Sequence, residues 1–130
     1  MKEGMNTMVS NSQTYLKILA DLIKIKSVND HELEVAEYLQ DLFQENGIEA
    51  KILPLKGQRA NLVAEIGEGT PVLAVSGHMD VVDPGNLAAW DNDPFTMTEK
   101  DGKLFGRGIT DMKAGLAALV IAMIELKKQG

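Results

Sequence analysis

Two short stretches hold the residues best suited to chemistry. Ser76-Gly77-His78-Met79-Asp80-Val81-Val82 closes an apolar run, and Gly106-Arg107-Gly108-Ile109-Thr110-Asp111-Met112-Lys113 leads into the last apolar segment. A His and an Asp two positions apart at a strand end project to the same side, because side chains alternate with period two. One of them can bind a cation while the other orients it. Asp111 stands at a loop-to-helix junction beside glycines that relax the backbone, so a second carboxylate can reach the same point. The chemistry these types offer together is the holding of a divalent metal. Each residue also has a plainer reading. A lone His at a strand end is more often a hydrogen-bonded structural residue than a ligand, and Asp111 or Thr110 is well placed to cap a helix. Gly106 and Gly108 serve equally well as turn glycines.

The surrounding pattern predicts the elements that would position these groups. Tyr15, Leu16, Leu19, Leu22 and Ile23 recur at helical spacing from Ser12 to about Ser27. Asn29, with Glu32 three positions on, suits the start of a second helix that carries Val35, Ala36, Leu39, Leu42 and Phe43 and stops at Asn46-Gly47. Strands are expected over Ile48 to Leu55 and Asn61 to Ile66, as antiparallel neighbours. Pro71 to Ser76 is a continuous apolar run, the pattern of a central strand covered on both faces, with His78 just past its end. Asp83 to Pro94 is a long loop rich in Pro, Gly, Asn and Asp that contains Trp90, the only tryptophan. Asp101-Gly102 suits a tight hairpin between Thr96 to Thr98 and Lys103 to Phe105. Met112 to Lys128 reads as a helix, apolar on nearly all sides and therefore buried. This order implies an α/β fold of three layers, α/β/α, around a mixed sheet.

Composition narrows the function. At 130 residues the chain forms one domain at most, and 45% hydrophobic content is enough for a single core. A net charge of -6, with no Lys/Arg run longer than Lys127-Lys128, leaves no basic patch to follow a phosphate backbone, which argues against a nucleic-acid partner. With no cysteine there is neither a disulfide nor a thiolate metal site, so a metal would rest on His and carboxylates, in keeping with a cytoplasmic protein. Residues 1–11 lack the pattern of a secretory signal and read as a flexible tail. The longest apolar stretch, Leu116 to Ile124, falls short of the roughly 20 residues that span a bilayer, so no membrane role is expected.

Several motifs occur in sequence: Gly77-His78-Met79-Asp80-Val81-Val82, Trp90 with Asp93-Pro94-Phe95, Asp101 to Gly108, and Asp111-Met112-Lys113-Ala114-Gly115. In order and spacing they resemble the front part of the M20 metallopeptidases, which include desuccinylases, deacetylases, aminoacylases and carboxypeptidases. The resemblance runs from about Tyr15 to the end of the chain. It implies His78 as ligand of one ion, Asp111 as the carboxylate bridging two ions, and Asp80 as the catalytic-site partner that orients His78. The implied cofactor is a pair of divalent ions, usually zinc, with cobalt or manganese substituting. The implied reaction is hydrolysis of an amide in an N-acyl amino acid or short peptide. Members of that family carry a Glu-Glu pair and a late His downstream. Here Glu125 is the only acidic residue after Asp111, and the other histidine, His31, lies early in the chain, assigned to the second helix. The expectation is that residues 12–130 are the first part of a catalytic domain, inactive alone and without its lid or dimerisation domain. The alternatives are a homodimeric parent, an exopeptidase or dipeptidase activity, and a non-catalytic interaction role for the retained motif.

Overall fold

In the computed structural model, residues 12–130 are described in full. The first helix, α1, is Lys2–Lys24; of the tail expected over residues 1–11, Met1 lies outside the described residues and the backbone from Lys2 on belongs to this helix. A bend over 25–32 leads to α2, Leu33–Glu45. The start of α2 departs from the capping pattern. Glu32 occupies the N-cap with no side-chain hydrogen bond, and Asn29 instead donates its backbone N–H to Val81 O at 2.9 Å. Asn29 is held by a distant segment at positive φ, and the helix opens three residues later. His31 accordingly sits ahead of α2, exposed, with Nδ1 against the carbonyls of Val28 and Asn29.

Strands β1, Ala50–Pro54, and β2, Ala60–Ala64, pair antiparallel in the register Ala50↔Ala64 and Ile52↔Leu62. Alternation turns Ala50, Ile52, Ala60 and Leu62 toward the helices and leaves Lys51, Asn61 and Val63 in solvent. The hairpin β3, Thr98–Lys100, and β4, Lys103–Phe105, turns at Asp101-Gly102, where both residues take positive φ, 53° and 72°. That pair of dihedrals is what an Asp-Gly turn supplies. The chain ends in α3, Ala114–Gln129.

Leu22, Ile23, Val35, Leu39 and Ile48 are sealed between α1, α2 and the β1–β2 hairpin, and Leu116, Ala117, Val120 and Ile124 of α3 complete the core. Each of the larger side chains contributes about 1.5–3 kcal/mol by leaving water. The architecture is mixed α/β and incomplete: two short antiparallel sheets, with one parallel bridge, Val28↔Val81, as the sole parallel pairing among the described residues.

Two elements differ from expectation. Pro71 to Ser76 is unpaired and exposed, with Leu73 89% accessible. A strand needs a neighbour for its N–H and C=O groups, and β1 and β2 satisfy each other elsewhere. Helix α3 buries one face only; Ala118, Ala122 and Leu126 are exposed, because α1 packs against a single side.

Candidate metal centre

The segment carrying His78 and Asp80 is fastened from below. Val81 N–H donates to Ser27 O at 2.9 Å, Val81 O accepts from Asn29 N–H, and the buried Ser27 hydroxyl donates to Met79 O at 2.8 Å. Met79 and Val81 are buried, so the alternating His78 and Asp80 face outward.

The second segment folds against the first at Gly108. Its φ of 83° is left-handed, and a Cβ there would drive into Val81 Cγ1, so no other residue fits. The helical turn Ile109–Lys113 is interrupted at Asp111 and Met112, whose φ/ψ of −129°/91° and −138°/33° are non-helical. Asp111 therefore points out of the turn instead of capping α3. Met112 folds back so that its sulfur accepts the backbone N–H of His78 at 3.4 Å, and a Cβ on Gly77 would come within 3.0 Å of Met112 Cε. Lys113 closes the turn through its N–H to Gly108 O at 2.7 Å and buries its side chain against α1, with Nζ donating to Leu22 O and Ile25 O at 2.6 and 2.8 Å. Burial pushes this ammonium down to about 8, while the two carbonyls accept from it.

These ties bring His78 and Asp111 together across 33 residues of sequence. Nε2 of His78 lies 2.7 Å from Asp111 Oδ1. Nδ1 lies 3.0 Å from the backbone oxygen of Asp80 and 3.2 Å from its Oδ1. A carbonyl oxygen can only accept, so Nδ1 carries a proton. Nε2 then faces a carboxylate, and the ring is held toward its doubly protonated form: the Asp111 carboxylate raises the His78 pKa, a smaller desolvation effect opposes it, and the Asp80 carbonyl adds to the rise. Asp80 thus grips the ring with its main chain as well as its carboxylate. That arrangement leaves Nε2 as the nitrogen free to exchange its proton for a cation.

The pair opens into a cavity of about 200 Å³ that Asp80, Arg107 and Thr110 also line. The Arg107 guanidinium stacks on Trp90 at 5.2 Å, and Trp90 Nε1 donates to Pro84 O, which pins the long loop beside the site. Imidazole nitrogen and carboxylate oxygen meeting at one point fit a zinc-type ion as two donors. Among the described residues no third His, Cys, Asp or Glu joins them. Glu125 is engaged elsewhere, with Tyr15 and, at 3.5 Å, with Lys128.

Ser27 had no signal in the sequence, and Lys113 stood in a motif with no role of its own. A cation at the N-terminus of α3 opposes that helix's dipole, which points to a partner elsewhere.

Residues 74–130 match the family model described as Peptidase family M20/M25/M40. A probable succinyl-diaminopimelate desuccinylase of Staphylococcus epidermidis is 60% identical over 120 residues, 92% of this chain and 30% of that protein. The chain is M20-like. Solved structures agree: an M20 family metallo-carboxypeptidase from Sulfolobus solfataricus superposes with a TM-score of 0.80 at 26% identity, over 88% of this chain and 27% of the other. Human carnosine dipeptidase 1 gives 0.73 at 21% identity, over 95% and 30%, and shares the fold. The chain spans less than a third of the length of each of these proteins. No helix among the described residues is long and apolar enough to cross a membrane.

Proposed function

We propose that this chain supplies His78 and Asp111 to a dinuclear divalent-metal centre, and that the centre hydrolyses an amide in an N-acyl amino acid, most like a succinyl-diaminopimelate desuccinylase, in the cytoplasm. The observation that carries this reading is the 2.7 Å approach of His78 Nε2 to Asp111 Oδ1 in a chain of M20-like sequence. The desuccinylase reading is preferred to a peptidase because the desuccinylase relative is 60% identical, against 26% for the carboxypeptidase and 21% for the dipeptidase.

Divalent cations, zinc first and cobalt or manganese in its place, supply Lewis acidity toward water and the scissile carbonyl when bound. The chain's own groups hold and orient the donors. Asp80 keeps the Nδ1 proton and fixes the ring. Nε2 and the Asp111 carboxylate present lone pairs to one point, and His78 releases its Nε2 proton as a cation takes that place. Two donors without a carboxylate placed as general base make the chain alone a weak metal binder that hydrolyses nothing. Titration with Co²⁺, followed by its visible absorption, tests the ligand role. Binding by the unaltered chain that falls at least tenfold in both His78→Ala and Asp111→Asn is expected, and equal binding by both variants overturns it.

A further inference from the structure

We propose that Lys113 is a positioning residue that holds Asp111 against His78 by anchoring the turn between them to the end of α1. Nothing in regular structure fixes Asp111: its backbone is non-helical, its side chain is 86% exposed, and its carboxylate contacts His78. What restrains it lies on either side. Upstream, Gly108 is wedged against Val81. Downstream, Lys113 is 1% exposed and donates its ammonium to the Leu22 and Ile25 carbonyls at the C-terminal end of α1, which also accept the backbone N–H groups of Ile25 and Ser27 and where the helix dipole favours a cation. Its own N–H closes the loop onto Gly108 O. Burying a lysine costs desolvation that an apolar residue would avoid, so its use here has to be sought in what it ties together. It joins α1, which through the 25–29 bend also carries the Ser27 contact to Met79, to the turn that carries Asp111. Both partners of the site are then referred to one frame. The inference concerns the contact between the two side chains and stands whether or not a metal replaces it.

The test is imidazole NMR on the whole metal-free chain. A His78 Nε2 proton bonded to a carboxylate gives a far-downfield resonance in the unaltered protein, and Asp111→Asn abolishes it. Lys113→Met is expected to abolish it too while cooperative melting persists, and Lys113→Gln, which retains one donor, to weaken it. A folded Lys113 variant with an unchanged resonance overturns the proposal; should Lys113→Met fail to fold, Lys113→Gln decides alone. Leu39→Ala, buried in α2 and outside the site cavity, is the control for general destabilisation. It is expected to lower the melting temperature and leave the resonance intact, and loss of the signal there overturns the proposal as well.

Discussion

Residues 71–76 and 79–81 lie on either side of Gly77-His78, yet they behave as opposites. In the first part Val72, Leu73 and Val75 stand in solvent and the backbone makes no strand pairing. In the second, Met79 and Val81 are buried, and three hydrogen bonds reach them from Ser27 and Asn29. Both stretches carry large apolar residues; what differs is the presence of something to pair with. The site residues stand on the fastened half, so their geometry depends on the α1–α2 bend and hardly at all on the run that precedes them.

The most severe way to break this contrast is at Gly108. Gly108→Ala combines a left-handed backbone with a collision against Val81 and is expected to cost about 3 kcal/mol in urea denaturation. A cost under about 1 kcal/mol would mean the two segments are not locked together. Ser27→Ala should be milder. It leaves the buried Met79 carbonyl without its donor, at about 1–2 kcal/mol by the same measurement. No loss would show that the fastening is nominal.

The pair itself gives a smaller effect, legible in pH. His78 is expected to titrate above 6.5 in the metal-free protein and to fall in Asp111→Asn, because the Asp111 hydrogen bond is the leading cause of its rise. The sign for stability follows from linkage. A folded pKa raised above the unfolded value means the contribution is complete below pH 6.5 and disappears as pH rises through the folded pKa. The ring is half exposed, so water screens the effect to less than either substitution above. Stability that stays flat across this window in the unaltered chain would remove the ion pair from the account.

Much of this was readable from residue order because its causes are local. The β1–β2 pairing follows from alternation, the β3–β4 turn from Asp101-Gly102, and α1 and α2 from the spacing of Leu19, Leu22, Ile23, Val35, Ala36 and Leu39. The pairing of His78 with Asp111 was expected from the resemblance of the joined motifs, since each residue taken alone reads equally well as a structural or capping group. The remainder depended on contacts between distant segments. Asn29 is drawn into the Val81 bridge at positive φ while α2 starts only after Glu32, and the role of Lys113 shows only once α1 presents two carbonyls to it. Pro71 to Ser76 shows the reverse failure: a local pattern that reads as a buried strand stays bare when no neighbour lies alongside.

That bare run gives the smallest effect on folding and the sharpest test of the contrast. Leu73 is 89% exposed, so Leu73→Lys removes no packing and is expected to change stability by less than about 0.5 kcal/mol. The same substitution should alter association. An unpaired apolar segment beside an open groove lined by Val75, Leu119 and Met123 invites a second chain, and a lysine on such an edge discourages it. Size-exclusion chromatography over a concentration series should show the unaltered chain moving to larger species and Leu73→Lys staying smaller. A marked drop in melting temperature would mean that residue 73 is packed in solution and that the two stretches are not opposites. A concentration-independent monomer in the unaltered chain would mean that exposed apolar backbone alone does not drive this chain together.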